Sequence, residues 1–93
     1  MKRVRWSIQA GRDMTEAHDF IAQDDPDAAL RMILTVESAT QYLLTFPSMG
    51  REGRLKNTRE LVIPHLPYLI VYRSAPAEVE ILRVLHTSRN RSK

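Results

Sequence analysis

Ninety-three residues, 43% hydrophobic and 27% charged, fit one domain spanning 1–93 with a single modest core, and exclude a disordered or low-complexity chain. The absence of cysteine removes a disulfide framework, a thiolate metal site and a cysteine nucleophile together; with only three dispersed histidines, no metal or other cofactor is expected. The net charge is +3, no apolar run approaches the roughly 20 residues of a membrane span, and the basic start has no apolar segment behind it, so a cytoplasmic protein without a membrane partner is expected.

Residues 3–8, RVRWSI, alternate Arg3, Arg5 and Ser7 with Val4, Trp6 and Ile8, the period-2 pattern of a half-buried strand with one basic face. From Asp13 the period changes. Asp13 followed three residues later by Glu16 reads as a capping box, with Met14, Ala17, Phe20 and Ile21 on one helical stripe as far as Asp24. A second helix begins with Asp25 as N-cap and Pro26 at the first position, where a missing N–H costs nothing. Its stripe of Ala29, Met32, Ile33, Val36, Ala39 and Leu43 runs until Pro47 forbids continuation. The minimal turn between the two predicts an antiparallel helical hairpin.

Residues 47–58, PSMGREGRLKNT, have no apolar period and read as a loop. Three strand-like runs follow, 59–63, 68–74 and 79–86, separated by short proline-containing links that suit hairpins. The expected fold is therefore α+β: an antiparallel four-stranded sheet, in the chain order β-α-α-β-β-β, with the helical hairpin packed on one face.

Charge is sorted along this order. Residues 13–45 hold seven acids against one base, Arg31, while the rest of the chain holds thirteen bases and four acids. A strongly basic surface is implied, suited to a polyanion or an acidic protein. In the last run, strict alternation puts Val79, Ile81, Arg83 and Leu85 on one face and Glu80, Leu82, Val84 and His86 on the other. Arg89, Arg91 and Lys93 lie just beyond, and Arg54, Lys56 and Arg59 flank the preceding strands, where a sheet could bring all of them to one edge. A histidine that titrates near neutrality beside phosphate-binding arginines suits RNA cleavage, in which a 2′-oxygen attacks the phosphate and the leaving 5′-oxygen takes a proton. The same edge could equally grip a target with no bond broken. Taken singly, Arg83 also reads as the partner of a carboxylate, and His86 as a strand cap. His18 beside Asp19 reads as a solvated helix residue, His65 as an exposed turn residue, Glu78 and Glu80 as carboxylates offsetting nearby bases, and Trp6, Tyr68 and Tyr72 as core or rim.

The order of elements, the block TRELVIPHLPYLIVYR and the ending VEILRVLHTSR resemble the RelE/ParE superfamily, the toxins of bacterial type II toxin–antitoxin modules, over nearly the whole chain. The resemblance implies a helical hairpin on a twisted antiparallel sheet, and a cognate antitoxin that wraps the toxin with an extended segment into a hetero-oligomer. Endonucleases of the RelE branch commonly carry bases where this chain has Glu60, Val62 and Leu69, whereas a histidine near the position of His86 occurs in both branches. The pattern of blocks is closer to ParE. The implied function is a growth-arresting toxin that poisons DNA gyrase, with a ribosome-dependent mRNA endonuclease as the alternative and a non-toxic basic binding module as a second. The residues expected to carry it are Arg54, Lys56, Arg59, Arg73, Arg83, Arg89 and Arg91 in target or nucleic-acid binding, with His86, and Arg83 beside it, catalytic if the protein is an endonuclease.

Overall fold

The structure, a computed structural model, describes residues 2–88. Its elements are β1 (Arg3–Trp6), α1 (Ile8–Ala22), α2 (Pro26–Thr45), β2 (Arg51–Glu52), β3 (Arg59–Val62), β4 (Tyr68–Ser74) and β5 (Glu78–His86). The α+β class and the helical hairpin agree with the sequence pattern. The sheet differs from expectation, having five strands in the order β1-β5-β4-β3-β2 instead of four. It is also mixed: β2 to β5 form antiparallel pairs, but β1 lies parallel to β5, with Arg3 opposite Glu78 and Trp6 opposite Ile81. Two physical reasons account for this. The pairing of β1 joins the two ends of the chain, so local pattern says nothing of its partner, and β2 is two residues long, too short for any period to show.

The start of α1 is a second correction. Ser7, not Asp13, is the N-cap, and its Oγ accepts a hydrogen bond from the Ala10 N–H at 2.9 Å. Ile8 continues the alternation of the strand in sequence, yet it is 79% exposed at the first helical position. In α2 the expected cap holds: Asp25 Oδ1 accepts from the Ala28 N–H at 3.1 Å, Pro26 opens the helix, and Thr45 closes it ahead of Pro47. Ala10 and Ala17 of α1 and Met32, Val36 and Leu43 of α2 pack on Ile70, Tyr72, Val79, Ile81 and Val84 of the sheet, all buried. Each of the larger of these side chains contributes about 1.5–3 kcal/mol by leaving water. Tyr72 also anchors the chain after α2, since its hydroxyl donates to the Pro47 carbonyl at 2.7 Å and accepts from the Gly50 N–H at 2.9 Å. That approach needs a glycine, because a Cβ at Gly50 would sit 2.9 Å from both the Glu60 carbonyl and the Tyr72 hydroxyl.

Strict alternation in the last strand fails at one place. Val71 pairs with Arg83 but Tyr72 with Ile81, so Leu82 is an extra residue, a β-bulge. After it the faces exchange: Val79, Ile81 and Val84 are buried, while Arg83 is not. The bulge lies where β5 loses its neighbour, because β1 ends at Trp6 opposite Ile81. Side chains from the start of α1 continue the ladder instead. Ser7 Oγ donates to the Leu82 carbonyl at 2.9 Å, and Asp13 Oδ2 accepts from the Val84 N–H at 2.9 Å. The Asp13 carboxylate, 8% exposed, also accepts from Arg83 Nε at 2.8 Å, from Arg83 Nη2 at 3.2 Å and from Gln9 Nε2 at 3.2 Å. Burial works against its charge, but the hydrogen bonds from Arg83, the Val84 N–H and Gln9 together hold its carboxyl below the usual aspartate range.

A carboxyl whose folded pKa is depressed stabilises the fold fully above the unfolded value of about 3.9, and that contribution is lost as pH falls from there through the lower folded value. Asp13→Asn should therefore cost about 1–3 kcal/mol at neutral pH, by turning an amide toward the guanidinium and weakening the bond to Val84. Urea melts of the two proteins should converge as the pH is lowered below about 4. Equal stability at pH 7 would show that Asp13 does not hold the free edge of β5.

Candidate functional site

The cations and the histidine expected along one edge fall into two groups. Arg59 begins β3 opposite Tyr72, near the end of β4, whereas His86 ends β5 opposite Tyr68, at its start. Four residues of strand separate these positions, about 13 Å. The antiparallel meander is the cause, since β3 and β5 both run opposite to β4, so that β3 begins beside the end of β4 and β5 finishes beside its start.

His86 and Arg83 border a cleft of about 370 Å³ between α1 and the end of β5, lined also by Asp13, Glu16, Phe20 and Tyr68. The His86 ring stands edge-on to Tyr68, with centroids 5.3 Å apart and planes at 81°. Its Nδ1 accepts from the Ser88 N–H at 3.3 Å and lies 2.9 Å from the Ser88 hydroxyl, so a neutral ring carries its proton on Nε2. Arg83 is the cleft's one cation among the described residues, and both of its hydrogen bonds go to Asp13. Two carboxylates thus face one engaged guanidinium.

The second group surrounds a larger cleft, about 760 Å³, between the β2–β3 hairpin and the end of β4; Arg54, Lys56, Arg59 and Arg73 line it with Asn57 and Thr58. The hairpin that presents them is built locally. The Gly53 N–H donates to the Thr58 carbonyl at 2.8 Å, Thr58 Oγ1 donates to the Leu55 carbonyl at 2.6 Å, and Asn57 takes the left-handed conformation at φ 65° that asparagine tolerates well. A Cβ at Gly53 would collide with the Thr58 hydroxyl. Glu60, buried beneath, accepts from Arg51 Nη2 at 3.2 Å and from the Arg54 N–H at 3.4 Å, with Arg54 Nε 4.0 Å away. Arg59 Nη1 donates to the Gly50 carbonyl at 2.7 Å, a contact that fixes the guanidinium without cancelling its charge. Arg73 is paired with Glu80 at 2.6 Å, Glu80 with Arg5 at 2.8 Å, and Arg5 with Glu78 at 2.9 Å. The hydrogen bond from Arg73, aided by Arg5 and opposed by burial, holds the Glu80 carboxyl below its ordinary range.

Glu78 and Glu80 therefore offset bases, as their sequence context suggests, and the partner includes Arg5 on a strand whose position the sequence does not reveal. That charge match between the chain's two ends was the available signal for the β1–β5 pair. Arg89 and Arg91 lie outside the described residues. His18 Nδ1 is 3.1 Å from Asp19 Oδ1, His65 is exposed at φ 68°, Trp6 is half-buried, and Tyr68 and Tyr72 are buried. Among the described residues no cluster of three or more His, Cys, Asp or Glu could hold a metal ion, and no helix is long and apolar enough to cross a membrane.

The proteins to which this chain is similar include several named as toxins. A putative toxin, Y4kP, of Sinorhizobium fredii is 46% identical over 85 residues, 91% of this chain and 88% of that protein. Toxin RelE2 of Caulobacter vibrioides is 36% identical over 89 residues, 96% and 99% of the respective chains. Among solved structures, a chain of the chromosomal ParDE toxin–antitoxin system from P. aeruginosa superposes with a TM-score of 0.81 at 21% identity, covering 92% of this chain and 96% of that one. A chain of the E. coli DinJ–YafQ complex superposes with a TM-score of 0.58 at 12% identity over 99% and 100% of the two chains, and both likenesses speak for the fold. Residues 4–91 match the family described as "ParE toxin of type II toxin-antitoxin system, parDE", and this chain belongs to that family.

Proposed function

We propose that the protein arrests bacterial growth by poisoning DNA gyrase, in the manner implied by its likeness to ParE, and that a cognate antitoxin neutralises it. The reading is carried by the surroundings of His86. Phosphodiester cleavage needs cations placed to receive charge that develops on the phosphate, in addition to a proton donor. Among the described residues the His86 cleft has Asp13 and Glu16 against Arg83, and Arg83 is already bonded to Asp13. The places where the endonuclease branch is basic hold a buried carboxylate, Glu60, and the apolar side chains Val62 and Leu69. A protein of this kind acts by binding. The antitoxin is supported by apolar side chains left open on the helical side, among them Leu30, Leu34, Tyr42 and Phe46, and by the toxin–antitoxin complexes in which chains of this fold have been solved.

A second reading, RNA cleavage on the ribosome, is favoured by His86 itself, whose Nε2 can carry a proton toward a leaving oxygen. Relatives named RelE point the same way.

Expression of the chain alone should stop growth and induce the SOS response while messenger RNA stays intact, and co-expression of the adjacent small gene's product should restore growth. Mapping RNA 5′ ends after brief induction checks this; cuts clustered within codons without SOS induction would replace gyrase by the ribosome. His86→Ala separates the readings residue by residue. A binding toxin should keep its growth inhibition within a few fold, whereas an enzyme that uses His86 for proton transfer should lose roughly 10²–10⁴-fold in rate. Circular dichroism of the variant guards against loss of fold.

A further inference from the structure

We propose that the cleft between the β2–β3 hairpin and the end of β4 docks the phosphodiester backbone of duplex DNA. It deepens the gyrase reading and rests on it for its setting, a toxin acting on an enzyme that holds duplex DNA. Three observations carry it.

The first is charge. Arg54, Lys56, Arg59 and Arg73 line the cleft against one lining carboxylate, Glu52. Of the carboxylates behind it, Glu60 is approached by Arg51 and Arg54 together, while Glu80 and Glu78 divide Arg73 and Arg5 between them. Arg59 is held by backbone carbonyls. An excess of positive charge therefore remains, with the Arg59 and Arg73 guanidinium groups oriented by their contacts, and guanidinium groups bind phosphate oxygens in pairs.

The second is the absence, among the described residues, of an aromatic side chain from the lining, which comprises residues 52–59 with Arg73 and Ser74. Single-stranded nucleic acid is held by stacking bases on aromatic rings, and this cleft has no such platform. Backbone contacts from Arg and Lys, assisted by polar groups such as those of Asn57 and Thr58, are the mode used on a duplex. The third is the shortage of apolar surface. Among the described residues Leu55 is the one large apolar residue of the lining, whereas a protein partner needs a buried apolar anchor. The apolar recesses are elsewhere, around Tyr42, Phe46 and Met49 and beside Trp6, Met14 and Ile33. Polyanion and protein thus have separate surfaces.

The test is fluorescence anisotropy of the purified full chain with a labelled 20-base-pair duplex over a range of salt. Three or four neutralised phosphates predict that affinity falls roughly 40- to 150-fold between about 50 and 200 mM salt. Lys56→Gln should weaken binding roughly 5- to 10-fold near 100 mM salt and flatten the log–log slope by about 0.9, and Lys56→Gln with Arg73→Gln should do so further. Arg12→Gln removes the same charge from an exposed position on α1 and should leave the slope unchanged. The proposal is overturned by equal losses in Arg12→Gln and Lys56→Gln, by tighter binding of single-stranded RNA than of the duplex, by no salt-dependent binding at all, or by polyglutamate displacing DNA at equal charge, which would assign the cleft to an acidic protein. Gyrase is absent from this measurement, so its failure leaves the SOS result standing, and a negative SOS result leaves the cleft in place with another target.

Discussion

The structure depends on how one sheet edge is closed. β5 is nine residues long and β1 four, so more than half of the outer edge of β5 has no strand beside it. An unpaired edge at the centre of a small fold would leave buried backbone groups without partners, at a cost of about 1–3 kcal/mol each. Ser7 and Asp13 occupy that edge, one accepting the end of the strand as a helix cap and both bonding the backbone of β5. The carboxylate brings a requirement of its own, because a buried charge needs a counter-ion. Arg83, turned outward by the bulge at Leu82, supplies it by reaching over the edge. Cap, bulge and ion pair are one device, and it fixes where α1 crosses the sheet.

From that crossing follows the character of the His86 cleft. Because α1 lies against the end of β5, its acidic residues Asp13 and Glu16 face the only stretch of the described chain that carries a strand-end histidine. Among the described residues, a motif that looks basic in sequence, LRVLH, meets two carboxylates in three dimensions, Asp13 and Glu16. A cluster of bases, Arg54, Lys56 and Arg59 with Arg73, stands at the far end of β4, mostly on a hairpin held by Gly53, Asn57 and Thr58 and braced from beneath by Glu60. The molecule thus presents apolar recesses on its helical side and a polar, cationic cleft at one end of its sheet, a division consistent with two partners of different chemistry.

Much of the fold could be read from residues alone. Asp25 and Pro26 announce the start of α2, the helical stripe runs to Pro47, and the period-2 runs give β3 to β5 to within a residue or two, because each of these signals is local and is decided by the backbone geometry of a few neighbours. The basic character of residues 54–73 was equally legible, since charge is a property of composition. Family membership followed from whole blocks of sequence, for the same reason that blocks preserve an order of elements.

Three matters were decided only by tertiary structure. The parallel pairing of β1 with β5 joins distant ends of the chain, and no local pattern specifies a partner across such a distance. The identity of the α1 cap turned on the same pairing: Asp13 with Glu16 is as good a capping signal as Ser7 provides, but only Ser7 stands where β1 must stop, which leaves Asp13 free to be drawn into the edge of β5. Finally, one extra residue, Leu82, exchanges the faces of the last strand, so that His86 turns toward the side of α1 and Arg83 points outward and reaches Asp13 over the edge. A side-chain period of two makes strand patterns easy to read and, for the same reason, makes a single inserted residue reverse the reading.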